Sequence, residues 1–285
     1  MLTALLAVAA ASVLYGLASV LQAAGVARVS STAQVVRQPL YLLGLLFDVL
    51  GWVGSLIALR DLPLFAVQPI LAASLAVTII AARYALGVRI RRRDATAIVI
   101  GVLAISVLAL AAQHRPSQQP GTTTVVVLSA AAAALAVATA LAWSAMPSVG
   151  LASLSGFGYA LAAIGGRTVQ PAGGGVPLWS WVQLTHLLAQ PLLWVLVVGG
   201  LLGTALYARA LERGPVGPAA AALWLLQVVV PAVVGVVALD DRVRPGWGIP
   251  SVLGMLVALG AVVALTTAPG QRTEAAPDRS PARQA

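Results

Sequence analysis

Nine stretches of this chain are long and apolar enough to cross a bilayer, and no water-soluble fold could cover so much hydrocarbon. They fall at approximately 2–25, 39–59, 63–85, 95–112, 122–144, 147–165, 186–207, 216–239 and 248–267; a spanning helix takes about 20 residues. The 285 residues are 60% hydrophobic and only 9% charged, against about 25% charged in soluble domains. The expected class is therefore an all-α, polytopic membrane bundle of about nine helices. Pro39, Pro63, Pro147 and Pro215 stand at or near helix starts, where a missing N–H costs little. The segments 113–121 and 166–185 are polar and rich in Gly and Pro, and are expected outside the bilayer. Residues 268–285 read as a disordered tail.

The chain also repeats itself. Gln38-Pro39-Leu40 recurs as Gln190-Pro191-Leu192, Gly51 as Gly203, Ala58-Leu59 as Ala210-Leu211 and Pro63 as Pro215, all at one offset of 152 residues. Five apparent crossings separate equivalent helices, and an odd number inverts the second copy. Inverted repeats of this kind build many secondary transporters. The reading is a first repeat over 1–145 and a second over 146–267. Its axis would lie in the membrane plane, with Pro39 over Pro191 and Pro63 over Pro215.

Charge fixes an expected orientation. Arg28, Arg37, Arg83, Arg89, Arg91, Arg92, Arg93, Arg209, Arg213 and the tail arginines fall on one side; Arg60, Arg115, Arg167, Arg242 and Arg244 fall on the other. The richer side is expected in the cytoplasm, giving an outside N-terminus and an inside C-terminus in the inner (plasma) membrane. The first segment starts at Met1 without a basic region or small-residue cleavage site, so it is expected to be a retained helix. The net charge of +9 belongs to loop arginines at helix ends; with no basic stripe interleaved with aromatics, nucleic-acid binding is not expected. Trp179, Trp181, Trp194 and Trp247 near helix ends fit an aromatic belt.

The chain contains no cysteine, hence no disulfide or thiolate chemistry. It carries no phosphate-loop motif and no HExxH. No cofactor and no enzymatic activity are expected, nor is ATP-driven transport within this chain. Gly173-Gly174-Gly175 reads as a flexible turn.

Several of these residues resemble a family. Ala-Leu followed by a charged corner, then a helix bearing a proline, occurs at Ala58 to Pro69 and at Ala210 to Pro231. The second copy continues through Gln227, Asp240-Asp241-Arg242, Gly254 and Gly260. This resembles the drug/metabolite transporter superfamily and its EamA-type repeats. The first half is similar to the NIPA-type magnesium transporter branch in Leu40–Leu46, Pro63, Pro69 and an Arg-rich third loop, and the nine-helix count suits that branch. Two departures stand out: Arg89 to Asp94 replaces the usual acidic corner, and a tenth helix is missing. The resemblance implies a carrier of small molecules or ions and no particular substrate.

Asp48 is the single acid expected near mid-membrane. A lone carboxylate there costs about 2.5–3.5 kcal/mol even on lenient insertion scales, so it must have a partner or a proton. It is a candidate for proton coupling; the alternative is a structural aspartate at a helix contact. Gln22, Gln68 and Gln227 are amides in apolar helices, candidates for binding polar substrate groups or for interhelical hydrogen bonds. Pro69 and Pro231 are candidate kinks that free backbone carbonyls. Tyr15, Trp52, Trp143, Tyr159 and Trp224 lie within helices and could wall a cavity, or simply pack. Tyr15-Gly16 and Gly158-Tyr159 occupy comparable places in helices one and six. His186 reads as an interfacial cap.

The expected function is secondary transport or export of a small metabolite or drug-like molecule by alternating access. The alternatives are a divalent-cation transporter, for which one membrane carboxylate is a thin site, and a flippase subunit or scaffold. The expected partners are the substrate or ion and the lipid bilayer; a homodimer is left open.

Overall fold

The computed structural model describes residues 2–26, 28, 37–86, 91–113, 120–169, 180–214 and 216–266. Among these the chain is helical, with no named strand; one isolated bridge joins Ala112 and Val243. In chain order the helices are α1 (Leu2–Val26), α2 (Pro39–Asp61), α3 (Leu64–Ala72), α4 (Ser74–Leu86), α5 (Arg92–Ala111), α6 (Thr122–Ala145), α7 (Ser148–Thr168), α8 (Trp181–Leu188), α9 (Pro191–Arg213), α10 (Val216–Ala238) and α11 (Gly248–Leu265). Nine spans are long and apolar enough to cross a membrane, α3 and α4 together making the third. The expected polytopic helix bundle is thus the observed fold. Pro215, Arg89, Arg115, Trp179, the Gly173–Gly175 turn, most of 113–121 and the tail 268–285 lie outside the described residues.

The repeated Gln-Pro-Leu is a helix-start signal. Gln38 and Gln190 are the N-cap residues of α2 and α9, with nearly identical extended backbones (φ −75°, ψ 121° and φ −80°, ψ 119°) and proline just after. The Gln38 side chain accepts from the Leu40 and Tyr41 amides. The same signal moves a boundary: α9 begins at Pro191 rather than 186. A residue before proline avoids the α conformation, so 181–188 forms the separate helix α8, N-capped by Ser180 at 3.2 Å from the Gln183 amide. His186 sits exposed in the last turn of α8, not at a spanning helix's start.

Pro69 also acts locally. Its missing N–H leaves the Phe65 carbonyl without its usual donor, and four residues later the helix breaks at Ala73, whose amide reaches both Pro69 O and Ile70 O. Pro231 does not break α10, which continues to Ala238.

All nine residues of α3 are buried, which puts this segment at the centre of the bundle. Around it, α1 packs on α2 and α4, α7 packs on α9 and α10, α5 packs on α11, and α3 packs on α10. Two of these seams are backbone-close because glycines line them. A methyl group at Gly158 would sit 2.7 Å from the Gly199 carbonyl oxygen, and one at Gly54 would sit 3.2 Å from that of Ala7. Small residues that let backbones approach are how membrane helices associate when lipid is as apolar as leucine. Outward faces carry large exposed apolar side chains, such as Leu46, Val49 and Val53 on α2 and Val99 and Leu103 on α5. These faces suit hydrocarbon, not water.

Candidate functional site

Asp48 lies on the inward stripe of α2, between the buried Gly44 and Gly51 and two turns before Ser55. It is half-buried and accepts a hydrogen bond from Gln22 Nε2 on α1 at 2.5 Å. Gly44 makes this reach possible, since a methyl group there would sit 2.6 Å from Gln22 Cγ. Tyr15, further along α1, covers Gly51: a methyl group at that glycine would be 3.2 Å from the tyrosine Cδ1. The Tyr15 phenol faces the Ser55 hydroxyl and lies within electrostatic reach of Asp48 and of Tyr159 on α7.

The same contact recurs in the second half. Tyr159 covers Gly203 of α9, with its Cδ1 3.3 Å from where a methyl group would lie. The carbonyls of Ala11 and Ser155 approach Gly51 and Gly203 equally, at 3.3 Å. The Tyr159 oxygen is 3.0 Å from Thr204 Oγ1, and the carboxylate of Asp48 is within its electrostatic reach. Tyr15, Asp48 and Tyr159, on α1, α2 and α7, therefore lie within electrostatic reach of one another.

Proton bookkeeping gives this cluster a definite polarity. The Thr204 hydroxyl donates to Gly200 O at 2.9 Å, so its single proton is committed and Tyr159 must be the donor to it. The Ser55 hydroxyl donates to Trp52 O at 2.7 Å, which leaves Ser55 only an acceptor for Tyr15. With both phenolic protons directed at hydroxyls, the phenolic oxygens and the second carboxylate oxygen of Asp48 are left as acceptors, beside the second N–H of the Gln22 amide as a donor. Among the described residues no arginine is paired with Asp48.

Other candidates lie elsewhere. Gln68 is 2% exposed on α3, Gln227 is half-buried on α10, and Trp224 packs against the apolar cluster of Leu75, Ile79, Val228 and Leu259. Among the described residues no hydrogen bond or electrostatic contact ties these three to Asp48. Trp52 is 46% exposed on the outward side of α2, and Trp143 is also exposed, with the Arg209 guanidinium stacked 5.6 Å from its ring centroid.

A second polar site was not legible as such in the sequence. Arg167, expected in an external loop, is buried in the last turn of α7. Its Nη2 lies 3.0 Å from Asp241 Oδ1, and its Nη1 donates to Leu59 O at 2.6 Å, near the end of α2. The other oxygen of Asp241 accepts from the Leu64 amide at 2.8 Å, capping α3. Asp240 makes the turn possible by taking a left-handed conformation, φ 54°, which aspartate tolerates better than most residues. The following strand-like segment is tied to the end of α5 through Arg244 N to Ala111 O at 2.9 Å.

Among the described residues no three His, Cys, Asp or Glu side chains converge as a metal site would require. Comparison with protein-family models, with curated proteins and with solved structures finds no match to the chain.

Proposed function

We propose that this protein is a secondary transporter whose coupling site is Asp48 with Tyr15, Gln22 and Tyr159. The observation that carries the reading is the half-buried carboxylate of Asp48, whose hydrogen-bond partner among the described residues is the Gln22 amide and not a cation. A membrane carboxylate whose hydrogen-bond partner is a neutral amide leaves its charge uncompensated. It takes up a proton, or the cationic or hydrogen-bond-donating group of a substrate. Alternation between the two is the simplest form of coupled exchange.

The matching Tyr–Gly contacts, the matching Gln-Pro helix starts and the recurring helix pairing support two related halves. We read those halves as inverted about an axis in the membrane plane and the chain as a member of the drug/metabolite transporter superfamily. A magnesium carrier of the NIPA type is the weaker reading, because Mg²⁺ demands near-octahedral oxygen ligation and the cluster offers one carboxylate.

The test is transport by reconstituted protein under an imposed pH gradient, with amines, lipophilic cations, amino acids, nucleosides and Mg²⁺ offered in turn. Gradient-driven movement of one class is expected in wild type and should be lost in Asp48→Asn, which keeps the side-chain volume and the Gln22 contact. A folded Asp48→Asn protein with an unchanged pH profile would remove Asp48 from the coupling role.

A further inference from the structure

Two carboxylates of this bundle, Asp48 and Asp241, are partnered oppositely. Asp48 has an amide and no cation; Asp241 has the Arg167 guanidinium and a backbone amide. The Arg167–Asp241 pair joins parts that lie far apart in sequence. Arg167 on α7 holds the end of α2 through Leu59 O, and Asp241 after α10 holds the start of α3 through the Leu64 amide. Each side chain uses one arm within the pair and the other across to the first half of the chain. At the opposite end of the described residues, polar ties stay among neighbours: Ser148 Oγ to Ala210 O at 2.8 Å, and Arg213 Nη1 to Ser144 O and Met146 O at 3.0 and 2.9 Å.

A buried ion pair is a poor device for stability alone, because well-packed apolar residues commonly do as well or better. It serves well as a contact that must be made and unmade, since both ends are strongly solvated once water reaches them. We infer that the Arg167–Asp241 clasp is a gate: it closes one end of the path between the two halves and releases Leu59 and Leu64 when that end opens. This rests on the transport reading above.

Gly235 supplies an independent handle. A methyl group there would lie 2.5 Å from Asp241 Oδ2, so Gly235→Ala should disturb the clasp without removing either charge. Because the chain has no cysteine, a single introduced thiol reports access. Leu59, only 2% exposed, sits beside the clasp: its carbonyl is the one Arg167 holds, and its Cδ1 is 3.4 Å from where a methyl group on Gly166 would be. The experiment measures modification of Leu59→Cys by a membrane-impermeant thiol reagent in the full-length solubilised protein, in three backgrounds: no further change, Gly235→Ala, and Arg167→Gln with Asp241→Asn. A gate predicts slow modification in the first and at least tenfold faster modification in the other two, with folded protein in each. Rates within twofold of one another overturn it. Failure of both altered backgrounds to fold also overturns it, since the pair would then be a fixed staple. The readout needs no substrate. A protein that labels as expected yet carries nothing keeps the gate and loses the transport reading; one that transports with equal labelling rates does the reverse.

Discussion

The guanidinium of Arg167 and the carboxylate of Asp241 lie 3.0 Å apart with side-chain exposures of only 3% and 1%. Removing one member strands the other charge in a region without water, which costs about 3–5 kcal/mol. Arg167→Met alone should therefore lower the melting temperature sharply or abolish purification of folded protein. Arg167→Met with Asp241→Leu removes both charges and should recover most of that loss. Thermal melts of the three proteins in one detergent check this; a double variant as unstable as the single would mean that the capping of Leu59 and Leu64, not charge balance, dominates.

The α7–α9 seam should be intolerant of even one methyl group. Gly158→Ala would place Cβ 2.7 Å from Gly199 O and 2.9 Å from the Gly203 Cα, atoms of backbone that cannot swing aside. Overpacking of this kind costs about 1–3 kcal/mol. Gly260→Ala meets nothing within 4 Å and should change stability by no more than about 0.5 kcal/mol. Comparing the two melting temperatures separates a packing requirement from a general dislike of alanine at membrane glycines.

How much of this could be read beforehand depended on range. Spans were legible because each is a local, 20-residue fact, and Gln38-Pro39 and Gln190-Pro191 were legible because caps are local too. Gln22, Asp48 and Tyr15 are legible as polar or aromatic residues inside apolar helices, yet what joins them is the register of α1 on α2, set by Gly44 and Gly51, which no local pattern reveals. Arg167 was misplaced for a physical reason: an arginine near a helix end normally reaches water, and only a partner 74 residues away makes burial tolerable. The Asp240-Asp241-Arg242 corner was visible, but which acid turns inward depends on the left-handed Asp240.

The Gln22–Asp48 contact should show coupling in a double-mutant cycle. Gln22→Leu takes away the amide that donates to Asp48 and should cost about 1–3 kcal/mol, the penalty of an unsatisfied polar group. Asp48→Leu in addition should restore part of it, since neither polar group then remains. Additive effects in chemical denaturation would show that the two side chains are energetically independent.

Tyr15→Phe and Tyr159→Phe should behave alike if the two tyrosines hold equivalent positions. Each loses one phenolic hydrogen bond, about 0.5–1.5 kcal/mol, while the ring that covers Gly51 or Gly203 stays. Both should remain folded, and both should alter transport under the pH gradient described above. A silent Tyr159→Phe beside an impaired Tyr15→Phe would confine the site to the first half.

Orientation can be tested through the arginines that carry the bias. Excluding the tail, the sequence places nine arginines on the side expected in the cytoplasm and five on the other. Arg91, Arg92 and Arg93 are exposed around the start of α5, as short-loop arginines must be to act as a topological signal. Replacing all three with Ala leaves six against five, nearly balanced. In wild type, a reporter fused after Ala285 should read cytoplasmic. A cysteine at the exposed Arg60, which shares the clasp end of the bundle, should label only from outside intact cells. In the triple alanine variant both readouts should become mixed, because little bias remains to choose between the two insertions. A C-terminal reporter that reads external in wild type would invert the whole assignment and put the Arg167–Asp241 end in the cytoplasm.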